Sequence, residues 1–455
     1  MSVKEAVLEK FNADAVRALS ELLDEPGWML DLRLTAWRFF EEIPWPTGAE
    51  ETWRRTSLRG FRLDHYVPFV PEVLTEVEAE ADLETIYQEH LAELVSAGEL
   101  VMDEGRAFYH RLDEELAAKG VIFTDLHTAV REYPELVQRT FAQQVPLDAN
   151  KFAALHYAFW RGGTFLYVPR NVEVTLPFQT LARLSQPGTA GFYHTIVITE
   201  EGASVTLMED FFGGDQGMHN GVVELYPGPN SRLRYTHVQN WQPTLWNFGT
   251  QRIRVPRDAE VVHLIASWGS KLSKVWVTLD LVEPGARGQL LGLYFTTDRQ
   301  HVDHHTMQNH RAPNCSSDLL YKGALKDTSR SVYQGYIKVW PGAQKTDAYQ
   351  ANRNLLLDGR ARADSIPGLE IEADDVRCTH GATAGQIPEE YLFYLESRGL
   401  DRPTAERLVV AGFFQEVLER VDNADVRRKL EATIAERLDV DVADLGLEST
   451  NGNNG

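Results

Sequence analysis

The sequence predicts a mainly β protein whose core is a solenoid of stacked β coils, flanked by an α-helical domain at each end. Three observations support this fold class. Apolar residues follow helical spacing near both ends of the 455-residue chain. The middle consists of short runs rich in Val, Ile, Tyr and Thr, separated by Gly, Pro, Asn and Asp. Within this middle part a turn-plus-strand unit recurs roughly every 27–28 residues, which is typical of a solenoid.

The N-terminal domain, predicted over residues 1–145, should be helical. Its apolar residues recur at intervals of three and four, which places them on one face of a helix. They are Val7, Leu8, Phe11, Leu30, Leu34, Trp37, Phe40, Leu112, Leu116 and Val121. Pro44 and Pro46 should end the second helix, because proline lacks the amide hydrogen that a helix interior requires.

The β core is predicted over residues 146–380. Four of its segments combine turn residues with a following strand: EGASVTLMED, PNSRLRYTHVQ, RDAEVVHLIAS and PGARGQLLGLYF. Three later segments, KDTSRSVYQGYIKV, PGAQKTDAYQANRNLLL and GRARADSIPGLEIEADDV, follow at roughly 15–18 residues, as if each were one face of a coil. A β-sandwich also has short strands, but the constant turn chemistry before each strand favours stacked coils.

The C-terminal domain, predicted over residues 381–455, returns to helical spacing. Pro388 and Pro403 lie where a first helical turn tolerates proline, and Gly399 lies where a helix should end. The middle helix has one wide apolar stripe, which either packs against neighbouring helices or docks a partner. The stripe consists of Leu408, Val410, Phe413, Phe414, Val417 and Val421. The tail ESTNGNNG is predicted to be disordered.

The composition restricts the partners and the compartment. The chain has 45 Lys and Arg against 67 Asp and Glu, a formal net charge of -22. Polyanions are bound by clustered cationic side chains, so nucleic acid and anionic membranes are poor partners. The two cysteines, Cys315 and Cys378, are too few for a disulfide framework. With no signal peptide and no run of 18 apolar residues, we expect a cytoplasmic protein that does not span a membrane.

No motif for nucleotide binding or zinc-protease chemistry occurs, but two segments contain clustered metal-ligand residues. The first is QHVDHHTMQNHRAPNCSSD. Its candidate ligands are His301, Asp303, His304, His305, His310 and Cys315. Adjacent residues of a strand point to opposite faces, so His304 and His305 would not face the same ion. We therefore expect this cluster to be mainly structural.

The second segment is VRCTHGATAG, in which Cys378 and His380 are two residues apart. In a strand this spacing places both side chains on one side, where a thiolate and an imidazole can bind one ion. Two ligands do not complete a four-coordinate site, so the others would come from another segment or another chain. The alternative is a structural cysteine beside a hydrogen-bonded histidine.

A long segment around these two residues resembles a known family. NRNLLLDGRARADSIPGLEIEADDVRCTHGATAGQIPEEYLFYLESRGL is similar to the signature of the SufD branch of the SufB/SufD family, which serves the SUF machinery for iron-sulfur cluster assembly. QHVDHHTMQNHRAPNCSSDLLYKGALKD, GTFLYVPRNVEV, GWMLDLRLTAWRFFEEIPWP and EETWRRTSL resemble the same family, so the resemblance touches every region of the chain. It implies a right-handed parallel β-helix between two helical domains, in agreement with the repeat.

Two positions separate the SufD branch from SufB. SufB proteins typically carry His-Glu-Ala-Thr where this chain has His-Gly-Ala-Thr from His380 onward, and a functional cysteine near the position of Asn352. The resemblance therefore transfers the SufD histidine onto His380, as a residue for cluster assembly at a SufB–SufD interface and as a metal ligand shared with SufB. Cys378 is the weaker candidate beside it.

The resemblance also implies partners. In the family complex one SufB and one SufD bind two copies of SufC, an ABC-type ATPase that docks on the C-terminal helical domains. It implies a non-enzymatic scaffold whose stripe, including Phe413, Phe414 and Val417, docks SufC. We expect no tightly bound cofactor on the isolated chain, a transient iron or iron-sulfur cluster in the complex, and ATP use by SufC. A homodimer is expected to be an option when SufB is absent.

Other functions are compatible with the residues. A SufB-like cluster scaffold is the nearest alternative. A β-helix carbohydrate-active enzyme is less favoured, because such an enzyme would be exported and would not need two helical domains. A stand-alone metal-storage or metal-sensing protein built on the histidine cluster is the third.

Overall fold

The computed structural model describes residues 10–69 and 94–438. Val7, Leu8 and the tail predicted to be disordered lie outside these residues. Strands dominate the middle of the described chain and helices lie towards both ends. The mainly β fold class, a parallel β-helix flanked by N-terminal and C-terminal helices, is confirmed.

The helices are α1 (Ala13–Leu22), α2 (Gly27–Glu42), α3 (Glu114–Ala118), α4 (Leu126–Glu132), α5 (Pro134–Gln138), α6 (Lys151–Phe159), α7 (Glu389–Glu396), α8 (Arg402–Leu418) and α9 (Ala424–Leu438). Short 3-10 turns lie at Glu51–Trp53 and Leu63–His65. The strands are β1 (Gly98–Asp103), β2 (Arg106–Leu112), β3 (Ile122–Asp125), β4 (Thr164–Val168), β5 (Phe178–Leu184), β6 (Ala190–Gly191), β7 (His194–Thr199), β8 (Ser204–Gly213), β9 (Met218–Tyr226), β10 (Arg232–Trp241), β11 (Trp246–Val255), β12 (Glu260–Ser267), β13 (Leu272–Leu281), β14 (Arg287–Thr296), β15 (His301–His310), β16 (Ser316–Leu325), β17 (Arg330–Val339), β18 (Thr346–Leu356), β19 (Arg362–Ile371) and β20 (Val376–Gln386).

The strands form two sheets, which are the two walls of the β-helix. From β7 to β20 the chain alternates between them, so that even-numbered strands form an even sheet and odd-numbered strands an odd sheet. Between β7 and β20 the neighbouring strands of each sheet are parallel and in register, as in the pairing of Arg232 on β10 with Glu260 on β12. Each coil thus contributes one strand to each sheet, and side chains alternate between the interior and the outer faces.

The turns explain the repeat seen in the sequence. The four segments that recur there form β8, β10, β12 and β14, consecutive strands of the even sheet. The turns before successive even strands contain a residue in the left-handed region: Asn230 (φ 55°), Asp258 (φ 54°), Gly285 (φ 78°) and Asn314 (φ 58°). Gly, Asn and Asp adopt this conformation most readily, so the turn chemistry sets where each coil begins. The three later segments form β17, β18 and β19, which alternate between sheets as their shorter spacing predicts.

The prediction of helix up to residue 145 is wrong for part of the N-terminal region. β1 and β2 form an antiparallel hairpin, and β1 extends the even sheet by pairing with β5 from Gly98 and Phe178 onward. Leu112 therefore ends a strand, although Leu116 lies in α3 as expected. A spacing of three or four over so few residues does not distinguish a short helix from a strand. Downstream of Pro44 the described residues contain the strands β1, β2 and β3 as well as the helices α3, α4 and α5, whereas α2 ends at Glu42 as those prolines predict.

A helix also lies within the region predicted as β. α6 follows Asn150, whose side chain accepts hydrogen bonds from Phe152 N at 2.9 Å and Ala153 N at 3.0 Å. Every residue of α6 is buried, because α2 covers it on one side and the β-helix on the other. A helix that is buried all round lacks the exposed polar face by which helices are recognised in a sequence. At the other end of the core, β20 continues to Gln386.

The C-terminal helices pack on the outer face of the even sheet. Asp401 caps α8 by accepting a hydrogen bond from Thr404 N at 2.9 Å. Residues of α8 and α9 form one apolar cluster with residues of β8, β10, β12, β14, β16 and β18. Ion pairs at the edge of this cluster join Lys322 and Arg353 of the even sheet to Glu416 of α8. No helix in residues 10–69 and 94–438 is long and apolar enough to cross a bilayer.

Candidate functional site

Cys378 and His380 lie on β20, at the open end of the β-helix. β20 pairs with β18 along one edge, and its other edge has no partner strand among the described residues. β19 is the last strand of the odd sheet in the same way and pairs with β17. We call β19 and β20 together the terminal coil. Both residues are thus at the end of the stack rather than within it.

The register places both side chains on the interior side of the terminal coil. Cys378 lies beside Ala348 and His380 lies beside Gln350 on β18. Ala348 and Gln350 are buried inside the β-helix, and register partners on parallel strands point to the same face. His380 is nevertheless exposed, because none of the described residues stacks on the terminal coil. Cys378 and His380 thus lie on the same side of β20, as their spacing of two residues predicts.

The Cys378 thiol is poorly suited to be the main ligand in the isolated chain. It is half-buried against an apolar cluster that includes Ile337, Val339 and Ala348. Burial, with a further contribution from the negative charge of Asp347, raises the pKa of the Cys378 thiol. Since the thiolate is the form that binds metals, Cys378 would have to lose its proton before it could act as a ligand.

Polar side chains form the layer beneath the terminal coil. Asn354 Nδ2 donates to Asn352 Oδ1 at 2.8 Å, and Asn352 Nδ2 donates to the Tyr294 hydroxyl at 3.1 Å. Ser365 on β19 donates to Asn352 Oδ1 as well. These four side chains connect the two sheets inside the β-helix. The Asn352 amide is fully engaged in holding them together.

Gln350 is the residue of this layer that adjoins His380. Its Nε2 donates to the Gly335 carbonyl at 3.2 Å. Its buried Oε1 has no hydrogen-bond partner in the described part of the chain, so an acceptor is available beside the imidazole. Sequence reasoning missed this polar layer. The signal was the recurrence of amides at alternate positions, Gln350, Asn352 and Asn354, on the face that should be buried.

Cys378 and His380 do not form a complete metal site by themselves. No group of three or more His, Cys, Asp or Glu side chains that could hold a metal ion occurs in residues 10–69 and 94–438. A four-coordinate ion at the terminal coil would therefore need ligands that these residues do not supply.

The outer part of the His301–His310 segment forms a buried charged cluster. Asp303 accepts hydrogen bonds from Lys274 Nζ and from the Thr56 hydroxyl, and its Oδ1 lies 2.9 Å from His305 Nε2. Burial alone would raise the pKa of Asp303, but Lys274 and His305 hold it well below its usual range. This cluster fastens the N-terminal region, through Thr56, to the outer face of the odd sheet.

The inner part of the same segment faces the interior of the β-helix. The His304 ring lies between Tyr294 and Tyr321, with ring centroids 5.4 Å away on each side. His310 Nε2 lies 2.8 Å from the Ser317 hydroxyl. Burial lowers the pKa of His304 and of His310 to about 4, so both are neutral at pH 7. His304 and His305 thus lie on opposite faces, as expected for adjacent residues of a strand.

The apolar stripe of α8 is covered by the protein itself. Phe414 and Val417 are buried against the even sheet, and Phe413 is partly buried beside them. The Lys322 ammonium donates to the Phe413 carbonyl at 2.8 Å and lies 4.6 Å from the centre of its ring. Of the two interpretations of the stripe, packing within the protein accounts for Phe414 and Val417. Neither side chain is free to contact a partner while α8 stays in place.

Large aromatic side chains are exposed on α7, the first of the C-terminal helices. Tyr391, Phe393 and Tyr394 of α7 are all more than half exposed, Phe393 at 73%. Exposed aromatic groups of this size mark docking surfaces. We call these three residues the α7 aromatic cluster. Sequence reasoning missed it, although three aromatic residues within PEEYLFYLE are a readable signal.

Comparison with known proteins gives family matches along most of the chain. The model described as "SufBD protein N-terminal region" matches residues 15–180, and "SUF system FeS cluster assembly, SufBD core domain" matches residues 182–413. The chain is 32% identical over 413 residues to an iron-sulfur cluster assembly SufBD family protein of Staphylococcus haemolyticus, covering 88% of this chain and 87% of that protein. Similar proteins of the same description occur in Staphylococcus epidermidis, at 32% identity, and in Staphylococcus aureus, at 31%, with the same coverage.

Proposed function

The chain belongs to the SufBD family of the SUF system for iron-sulfur cluster assembly, and from this premise we propose that it is a SufD-type scaffold subunit that pairs with SufB and binds the ATPase SufC in the cytoplasm. The observation that carries the proposal is the open terminal coil with His380 on its interior side. The subunit catalyses no reaction of its own. ATP hydrolysis belongs to SufC, in keeping with the lack of a phosphate-binding loop in this sequence.

The chemistry at two positions favours a SufD role over a SufB role. Gly381 supplies no carboxylate after His380. Asn352 has an amide where SufB would have a thiol, and this amide is buried in hydrogen bonds with Tyr294, Asn354 and Ser365. An engaged amide is neither a nucleophile nor a soft metal ligand. A SufB-like scaffold function would have no nucleophile at that position.

The terminal coil is the surface on which SufB would pair. Leu369 and Ile371 of β19 are exposed, yet they are register partners of the fully buried Ile337 and Val339. They therefore face the interior of the β-helix at its open end, where a further apolar layer would cover them. The free strand edges also offer backbone groups for pairing. The end of a second β-helix would both cover the apolar side chains and pair with the strand edges. We propose SufB for this position, and a second copy of this chain when SufB is absent.

Covering the terminal coil would place His380 inside the interface. The imidazole can ligate iron or accept a proton there, while SufB supplies the ligands that complete the site. Iron or the iron-sulfur cluster is the cargo of this site, held transiently during assembly. Cys378 is the secondary candidate, because its raised pKa favours the thiol.

We place the SufC docking surface on the C-terminal helices. The α7 aromatic cluster makes the direct contacts, and Phe413, Phe414 and Val417 support the surface from beneath by holding α8 on the even sheet. This arrangement connects a docked SufC to the β-helix through the ion pairs of Glu416 with Lys322 and Arg353.

Co-expression with SufB and SufC tests the proposal. Affinity capture of the tagged chain followed by native mass spectrometry should give a complex of one SufB, one SufD-type chain and two SufC. Leu369→Asp should weaken SufB capture by placing a charge in the covered layer. Leu176→Asp is the matched control, because Leu176 is 39% exposed against 37% for Leu369 but lies away from the terminal coil. Equal capture of SufB by both variants would contradict the proposed interface.

A further inference from the structure

Three arginine side chains converge on the outer face of the odd sheet, in a pocket of about 300 Å³. They are Arg252 and Arg254 of β11 and Arg311, which follows β15. We call this the arginine pocket, and we propose that it binds a small oxyanion of the phosphate class. It lies on a different surface from the terminal coil and from the α7 aromatic cluster, so the proposal is independent of the SUF function.

The strand geometry places two of the cations side by side. Arg252 and Arg254 are two residues apart on β11, whereas Gln251, Ile253 and Val255 between and around them are buried in the interior. Both arginines therefore point outward from the same face of the sheet. Arg311 reaches the same pocket from two strands further along the odd sheet.

The charges of the pocket are only partly compensated. Asp280 pairs with Arg311, its Oδ1 lying 3.1 Å from Arg311 Nε, and the same oxygen accepts a hydrogen bond from Asn309 Nδ2 at 3.0 Å. Neither Arg252 nor Arg254 has a hydrogen-bond or ion-pair partner within residues 10–69 and 94–438. Two guanidinium groups thus form no ion pair, although Asp280 is the register partner of Arg254 on β13, in a chain whose net charge is -22.

The carboxylate of Glu224, beside Arg252 in the register, is hydrogen-bonded to other groups. Glu224 is the register partner of Arg252 on β9. Its Oε1 accepts hydrogen bonds from Gln144 N at 2.6 Å and Val145 N at 3.0 Å, and its Oε2 accepts one from Ala142 N at 2.9 Å. Glu224 is thus hydrogen-bonded to the loop whose residues Gln143 and Gln144 line the pocket.

Arg311 is held in place for binding an anion. Its guanidinium lies 4.5 Å from the centre of the Trp340 ring, and Asp280 holds its Nε. The two terminal nitrogens remain as donors in a fixed plane. A planar guanidinium fork matches the spacing of two oxygens on a phosphoryl group, and charge-assisted bonds of this kind are the strong ones. A volume near 300 Å³ is large enough for phosphate or pyrophosphate.

Isothermal titration with inorganic pyrophosphate at low salt tests the proposal. The full-length protein should bind one pyrophosphate, and Arg252→Gln with Arg254→Gln should weaken this affinity by at least about tenfold, because two charge-assisted contacts are lost. The control is Arg232→Gln with Arg287→Gln, which removes the same charge from exposed positions of the even sheet. The control should stay within about twofold of the unmodified protein, since only a remote charge is changed.

Three results would overturn the proposal. The first is the absence of pyrophosphate binding to the folded protein at millimolar concentration. The second is an equal loss of affinity in both double variants, which would show a general charge effect. The third is binding of sulfate as tight as that of pyrophosphate, which would mean an adventitious ion only. Unchanged thermal unfolding of each variant establishes that the comparison is between folded proteins.

Discussion

Substitution of two phenylalanines of the C-terminal helices should distinguish the residues that dock SufC from those that stabilise the fold. Phe414 is 1% exposed and meets the Trp268 ring edge-on with centroids 6.4 Å apart, whereas Phe393 is 73% exposed. Phe414→Ala removes a buried ring from the contact between α8 and the even sheet, so it should lower the free energy of unfolding by about 3–5 kcal/mol. Phe393→Ala loses little buried surface and should change that free energy by less than about 0.5 kcal/mol.

The affinity for SufC should rank the two variants in the opposite order, with the larger loss for Phe393→Ala. An aromatic group at the centre of an interface contributes about 2 kcal/mol, so Phe393→Ala should weaken the affinity for SufC roughly 30-fold. Denaturant unfolding of the isolated variants measures stability, and surface plasmon resonance with immobilised SufC measures affinity. A cost of less than about 1 kcal/mol for Phe414→Ala, below the range for a buried ring, would contradict the packing role of Phe414. Binding of SufC by Phe393→Ala as tight as by the unmodified protein would contradict the docking role of Phe393.

The buried ionisable groups and Cys378 allow three more predictions. Asp303→Asn should cost about 3–5 kcal/mol in denaturant unfolding, because it leaves the Lys274 ammonium buried without its partner; iron loss from the purified complex without any loss of stability would contradict this structural role. His304 and His310 have a pKa of about 4 in the folded protein against an ordinary 6.5. Between these two pH values the unfolded state binds more protons than the folded state, so the protein becomes less stable as the pH is lowered. Lowering the pH from 7 to 5.5 should reduce the free energy of unfolding by about 1 kcal/mol for each histidine. The double variant His304→Gln with His310→Gln should therefore show a weaker dependence of this free energy on pH. Cys378→Ala should reduce cluster maturation in cells only slightly, since its thiol is mostly protonated; a complete loss of maturation would show that the thiolate is essential.

The repeating part of the fold could be predicted because its signal is local and recurs. Asn230, Asp258 and Gly285 begin successive coils in the same conformation, so the spacing of turn residues is visible without knowledge of the packing. β1 and β2 lack such a repeat, and β1 joins the even sheet by pairing with β5, which lies far along the chain. The buried helix α6 has no polar face, so its periodicity contains no helical signal.

The candidate site was predictable in part for similar reasons. The spacing of Cys378 and His380 fixes their common side of a strand, and the register with Ala348 and Gln350 then shows that this side is the interior. The role of Phe414 was not predictable, because an apolar stripe looks the same whether it meets a partner or the protein's own sheet. Only the tertiary structure shows which surface covers it.

The function of His380 is the central claim, and cluster maturation in cells tests it most directly. His380→Ala should leave the β-helix folded and the complex with SufB and SufC assembled, because the imidazole is exposed in the isolated chain and supports no packing. Thr379→Ala, at the adjacent exposed position of β20, is the matched control and should mature clusters normally. The measurement is the activity of an iron-sulfur enzyme in cells that depend on this SUF system. A strong loss with His380→Ala alone is the predicted result, and a normal rate of maturation in complexes carrying His380→Ala would contradict the account.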